Sequence, residues 1–299
     1  MTGPITHLRS IAITAAEPAS LLPFYEDTWG LEQVATDSDG GIHLRARGDE
    51  QRVLSLVPGD GHSLAAIRLA AATARDVDEV AQRAAAAGLG IDRPPAPLAG
   101  PGGGYGMVLR DPEGRCVEVS ADVTGHLAPS SRDFGPDRLS HIVLNSTDMA
   151  ASQDFFVRVL GFQVTDRYEN GQMVFLSCNH LHHCVVLAPG RWTSLNHVAF
   201  EVTSADEVMR ALGRMRKAGY DTVWGPGRHG PGGNVFAYFT DPVGNVIEYT
   251  AELLVVDDQW QPHDWPRTQE NADVWGTSGG INPDVIQAMA NPPASVRTS

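Results

Sequence analysis

Three residues in the second half of this 299-residue chain are of the types that proteins offer to divalent metals: His141, His197 and Glu248. Each lies in a short apolar, β-branched run, LSHIVLN, LNHVAFEV and NVIEYTAE. Two neutral imidazoles and a carboxylate on three separate strands supply three ligands and leave other coordination positions open, a set that suits non-haem Fe(II) oxygen chemistry. Taken singly, a histidine on an apolar strand is more often a hydrogen-bonded core residue, and Glu248 alone reads as an exposed strand position. Taken together, on equivalent strands of repeated units, they read as a metal site.

Positioning these residues falls to a repeated βαβββ unit. LRSIAIT reads as a strand, followed by a helix over ASLLPFYEDTWGL that stops at Gly30, and then by short alternating runs, GGIHLRARG and QRVLSLVP. SLAAIRLAA (strand), ARDVDEVAQRAAAAGLG (helix) and the hairpin YGMVLRDPEGRCVEVSAD, built around an Asp-Pro-x-Gly turn, complete a second unit. The same order returns from LSHIVLN through MAASQDFFVRVLGF, MVFLSC, HHCVVLA, LNHVAFEV and SADEVMRALGRMRKAGY to FAYFTDPVGNVIEYTAE. The expected fold class is α+β: four βαβββ modules paired into two domains, each a curled mixed sheet with helices outside. The expected division is 1–130, 131–256 and a C-terminal tail 257–299.

Spacing supports duplication. Gly30 stands 20 residues after Ser10, and Gly161 stands 20 after His141. Ala66 follows Ser10 by 56 residues, as His197 follows His141, and DPEGRCVE matches DPVGNVIE so that Glu118 falls under Glu248. The first half therefore keeps the carboxylate but has Ser and Ala in place of the two histidines, and one metal per chain is expected. Histidines present in only one copy are not required by the shared fold, which weakens their reading as ordinary core residues.

Composition excludes several classes. A net charge of -14 and a pI near 5.1 disfavour nucleic-acid and anionic-membrane surfaces. No apolar run has spanning length and the N-terminus shows no secretion signal, so a cytoplasmic setting is expected. Cys116, Cys178 and Cys184 form neither a disulfide framework nor a zinc motif and read as buried free thiols.

Residues 139–251 resemble the catalytic half of type I extradiol (catechol ring-cleaving) dioxygenases of the vicinal-oxygen-chelate superfamily, and the whole chain resembles their two-domain, four-module layout. The resemblance implies Fe(II), or Mn(II), held by His141, His197 and Glu248. It also implies a surrounding set of two histidines and a tyrosine. His183, 14 residues before His197, corresponds to the acid–base histidine, and His229 and Tyr238, 19 and 10 residues before Glu248, to the groups that hold substrate oxygens. The expected partners are a catecholic substrate and dioxygen, with neither nucleic acid nor membrane, in a homo-oligomer. His183 is expected to titrate near neutrality. His182 is expected to face the opposite side of its strand and to matter little.

Two other readings share the scaffold: a glyoxalase- or epimerase-type metal lyase or isomerase, and a non-catalytic binding protein of the bleomycin-resistance kind. The first would leave His183, His229 and Tyr238 idle, and the second would need no metal. The Gly-rich stretch 95–106 lacks the strand-turn-helix order of a phosphate cradle. Trp192 and Trp224 flank the site in sequence, and Arg191 and Arg228 leave a carboxylated substrate open. The tail, with Trp260, Trp265 and Trp275, is expected to drape over its own domain, and NPPASVRTS to be disordered.

Overall fold

The computed structural model describes residues 3–61 and 63–292, so most of NPPASVRTS lies outside the described residues. In module 1, β1 (Ile5–Ala15) leads through helical turns at Pro18–Leu21 and Phe24–Thr28 to β2 (Glu32–Thr36), β3 (Ile42–Arg45) and β4 (Leu54–Pro58). Module 2 comprises β5 (Leu64–Ala71), α1 (Ala74–Ala86), β6 (Ile91–Pro97), β7 (Tyr105–Arg110) and β8 (Cys116–Ala121). Module 3 runs from β9 (Arg138–Ser146) through α2 (Met149–Asp154) and the turn Phe155–Val159 to β10 (Gln163–Tyr168), β11 (Met173–Ser177) and β12 (Val185–Pro189). Module 4 has β13 (Ser194–Glu201), α3 (Ala205–Lys217), β14 (Trp224–Arg228), β15 (Val235–Thr240) and β16 (Val246–Ala251). The α+β, four-module architecture expected from the sequence is the one observed.

Each module pair makes one mixed sheet, ordered β2-β3-β4-β1-β5-β8-β7-β6 in the first half. In the second half the order is β14-β15-β16-β13-β9-β12-β11-β10, extended by β17 (His263–Trp265) from the tail. The modules of a pair meet antiparallel, β1 on β5 and β9 on β13, and each of these central strands has a parallel neighbour, β4, β8, β12 or β16. The second sheet is curled so far that Tyr168 on β10 and Trp224 on β14 line one cavity. β6 carries Pro94, Pro95 and Pro97 and lies at a sheet edge, where a missing N–H costs no ladder bond.

Helix positions follow local chemistry. Thr73, Asp148 and Ser204 cap α1, α2 and α3 by accepting from backbone N–H groups three residues on. α3 buries Val208, Ala211, Leu212 and Met215, the spacing of one helical face. The sequence predicts plain helices in modules 1 and 3, whereas both contain a π-turn, with Trp29 N–H bonded to Phe24 O and Leu160 N–H to Phe155 O. Widening the turn brings residues five apart onto one face, so Phe24 and Trp29 are both buried. Trp29 stacks on Tyr249 across the two halves at 3.7 Å between ring centroids.

Three further expectations change. Cys178 and Cys184 are buried free thiols, but Cys116 is only half-buried because it opens β8 beside the exposed Arg110. HHCVVLA is not one strand: β12 starts at Val185, and 178–184 form an irregular connection. The tail does more than drape. β17 pairs in parallel with β10, and α5 (Pro283–Ala290) packs on β13, held by Ser194 of β13, whose hydroxyl donates to Ala290 O, and by Asn145 of the neighbouring β9, whose side chain donates to Met289 O.

Candidate metal centre

His141 and Glu248 lie on one rung of the second sheet, because Ala199 between them pairs with both. His197, two residues before Ala199, points to the same face because side chains alternate along a strand. Pairing thus brings together residues far apart in sequence: the three ligand atoms lie within 4.8 Å of one another. Nε2 of His141 and Nε2 of His197 are each 3.4 Å from Glu248 Oε2.

The three residues suit a cation. Glu248 Oε2 is buried and has no hydrogen-bond partner, a costly condition that a divalent ion would relieve. Burial alone would raise the Glu248 pKa, but His141 and His197 outweigh it and hold the carboxyl well below its usual range. Burial lowers the pKa of His197 and so favours the neutral ligand form. The groups behind them fix orientation: His197 Nδ1 donates to Asn196 Oδ1 at 2.8 Å, Ser140 Oγ lies 3.2 Å from His141 Nδ1, and Asn234 donates to Thr250 Oγ1 at 2.8 Å and more weakly to Glu248 Oε1. Asn196, Ser140 and Asn234 were not singled out from the sequence. The only hint was a polar residue beside each ligand or at a strand start, which is too common to select them.

The other sequence-selected residues converge on the same cavity, which has a volume of 640 Å³ and is lined by His183, His229 and Tyr238 together with His141 and His197. The His183 ring packs edge-on against His141, with centroids 4.5 Å apart. Gly232, at φ +78°, passes beneath it, and a Cβ there would meet His183 Cε1 at 2.9 Å. His183 does not have the near-neutral pKa expected of it: burial, then the neighbouring His141 and His182, lower it well below the ordinary value. Burial likewise lowers His229 to about 4. His229 Nδ1 donates to Ala272 O at 2.8 Å, which leaves Nε2 to accept from the Tyr238 hydroxyl at 3.1 Å. Burial, reinforced by Glu248, pushes the Tyr238 phenol well above 10, so it stays protonated. Its oxygen lies 3.5 Å from His197 Nε2.

Trp224 lines the cavity and packs on Tyr238, whereas Trp192 holds Arg191 over its ring and is not part of the wall. Arg228 pairs with Glu252 and donates to Gly233 O, so it is already engaged, while Arg191 and Arg267 stand in the cavity wall. His182 does not face away from His183 as a strand would require. The irregular 178–184 connection turns both rings inward, and their Nδ1 atoms lie 2.9 Å apart.

The first domain answers differently at the matching rung, where Ser10 pairs with Arg68 and Arg68 with Glu118. Arg68 Nε donates to Glu118 Oε2 at 2.9 Å, so the carboxylate kept by the first half is half-buried in an ion pair. Among the described residues, His141, His197 and Glu248 form the one cluster with metal-ligand geometry.

The chain is similar to several known proteins. The chain is 27% identical over 289 residues to the manganese-dependent 2,3-dihydroxybiphenyl 1,2-dioxygenase of Geobacillus genomosp. 3, covering 89% of this chain and 91% of that one. It is 32% identical over 165 residues to metapyrocatechase 2 of Cupriavidus necator, covering 53% of this chain but only 45% of that enzyme. Among solved structures, the Mn(II)-bound glyoxalase from Novosphingobium aromaticivorans superposes with a TM-score of 0.89 at 38% identity, covering 95% of each chain. Homoprotocatechuate 2,3-dioxygenase from Arthrobacter globiformis shares the fold, with a TM-score of 0.84 at 20% identity over 96% of this chain and 92% of that one. The resemblance to extradiol dioxygenases is thus borne out at family level. No helix among the described residues is long and apolar enough to cross a membrane. Residues 7–119 and 138–249, one stretch per module pair, both match the family profile, and the chain belongs to the Glyoxalase/Bleomycin resistance protein/Dioxygenase superfamily.

Proposed function

We propose that this protein is an O2-dependent extradiol dioxygenase that opens a catecholic ring beside its two hydroxyls, using Fe(II), or Mn(II), held by His141, His197 and Glu248. The observation that carries the reading is the combination of the orphaned Glu248 Oε2 with a proton-handling set, His183, His229 and Tyr238, in one cavity wall. The division into a domain without metal (1–130), a catalytic domain (131–256) and a supporting tail (257–299) belongs to the same proposal.

A bound divalent ion would supply chelation of the two hydroxyls and an electron path to dioxygen. The chain supplies the rest. Tyr238, whose proton is held by His229 Nε2, offers its oxygen lone pairs to one substrate hydroxyl. His183, neutral when buried, takes a proton from substrate and returns it as the ring opens. The apolar wall of Val143, Phe175, Val186, Ala188 and Met173 excludes water and gives the second ring of an aryl-substituted catechol a surface to pack on. A 640 Å³ cavity exceeds what a single ring needs and falls in the usual range for larger ligands. The biphenyl-diol activity named for several relatives is consistent with that size.

Oxygen uptake and formation of a yellow ring-fission product by the Fe(II)-reconstituted enzyme test the proposal, with 2,3-dihydroxybiphenyl expected to be preferred over catechol. The structurally similar glyoxalase from Novosphingobium aromaticivorans sets the competing result. Isomerisation of a thiol hemithioacetal with no oxygen consumed on any catechol would overturn the dioxygenase reading.

A further inference from the structure

The structure assigns Asp166 and His182 as positioning residues that hold His183 in one tautomer, with its proton on Nδ1 and a bare Nε2 turned to the cavity. Asp166 is almost wholly buried yet remains a carboxylate. Burial alone would raise its pKa, but its donors outweigh that and lower it. Those donors are His182 Nε2 at 2.9 Å and Trp265 Nε1 at 2.7 Å on Oδ2, and the His263 backbone N–H at 2.9 Å on Oδ1. An ionised carboxylate only accepts, so His182 must carry its proton on Nε2. With one proton on each ring, as the proposal has it, His182 Nδ1 carries a lone pair and its partner at 2.9 Å, His183 Nδ1, is the donor. The ring nitrogen of His183 left for the cavity it lines is Nε2, without a proton.

The chain of hydrogen bonds runs from the C-terminal tail into the site. β17 pairs His263 with Asp166, and Trp265 closes over the same carboxylate, so the tail completes the Asp166 shell. Gly232 leaves no room for either ring to swing away, since a Cβ there would lie 3.1 Å from His183 Nδ1 and 3.2 Å from His182 Nδ1. A histidine presented with a bare Nε2 can only accept at first contact with substrate, which sets the order of proton movements. The kinetic arm of the test rests on the dioxygenase reading; the tautomer arm does not.

Full-length chain labelled with 15N-histidine, metal-free, gives the tautomers directly in long-range nitrogen–proton spectra, with His183 identified by its absence in His183→Phe. We expect an unprotonated Nε2 and a protonated Nδ1 on His183, and the reverse on His182. Asp166→Asn exchanges one acceptor for a donor facing His182 and should abolish this pattern. In the Fe(II)-loaded enzyme the same variant should lower kcat roughly 10–100-fold, the scale for partners that orient a functional histidine, with KM and metal content little changed. A protonated His183 Nε2 in the unsubstituted protein would overturn the inference, as would an Asp166→Asn variant with both tautomers and kcat unchanged. If Asp166→Asn does not fold, the spectrum of the unsubstituted protein still decides the matter. An inactive protein with the expected tautomers would refute the reaction and uphold the inference.

Discussion

Arg68 donates to Glu118 at 2.9 Å on the rung of the first sheet that matches the His141–Ala199–Glu248 rung of the second. Where the second half has a small residue between two ligands, the first half places a guanidinium against the remaining carboxylate. The duplicated position is filled by an internal ion pair, so the chain should bind one metal equivalent. Elemental analysis of Fe(II)-reconstituted protein checks this, and two tightly held equivalents would contradict it. Glu118→Ala should leave iron content unchanged while lowering Tm, because Arg68 loses its partner.

Removal of a metal ligand is expected to be severe. His141→Ala, His197→Ala and Glu248→Ala should each lose iron and activity while the circular dichroism spectrum stays native. Outer partners alone are worth ~10–100-fold in affinity, and loss of a direct ligand should exceed that. Two of these variants retaining full iron would sink the assignment.

His183→Phe should keep iron and bind catechol but turn over ~10²–10⁴-fold more slowly, the worth of a positioned proton-transfer group. The loss belongs in kcat rather than KM if the imidazole acts on charge that is absent in the ground state. His182→Phe should now also be impaired, though less, because its ring bonds to both Asp166 and His183. Steady-state kinetics on iron-normalised samples separates the two.

The pH dependence of stability should carry the mark of His229. Its folded pKa, lowered mainly by burial to about 4, lies below the ordinary 6.5, so the unfolded chain binds the proton first. Its contribution is fully present above pH 6.5 and is lost as pH falls through that value toward about 4. Urea midpoints of metal-free protein across this window should fall more steeply for the unsubstituted chain than for His229→Gln. Equal slopes would show that the group does not titrate as argued.

Deleting residues 282–299 removes α5, which puts Ile286, Met289 and Ala290 into the cavity wall. KM for an aryl-catechol should rise with little change in iron content, because no ligand and no bond to Asp166 is touched. Loss of iron instead would show that the helix supports the metal centre itself.

What is periodic, or paired by spacing, was legible in the residues alone. Four βαβββ modules follow from alternating strands, capped amphipathic helices and Asp-Pro-x-Gly turns, because each of these signals is local. The duplication, read from constant offsets, set His141, His197 and Glu248 against Ser10, Ala66 and Glu118, and the resemblance to extradiol dioxygenases pointed, at matching spacings, to His183, His229 and Tyr238. What depends on contact between distant segments emerged with the folded sheets. His182 faces inward because the connection that carries it is not extended, so strand alternation does not govern it. Nothing local marks Asp166 on β10, because its donor Trp265 lies nearly a hundred residues on, in β17. The pKa of His183 could not be read from its type, since burial beside His141 and His182 sets it. Arg68 gave no sign of filling the first domain's vacant rung, because its pairing with Glu118 exists only once β5 lies beside β8. Local pattern fixes the elements; which polar atoms face each other is a property of the closed sheets, because burial and partner choice arise only when the strands meet.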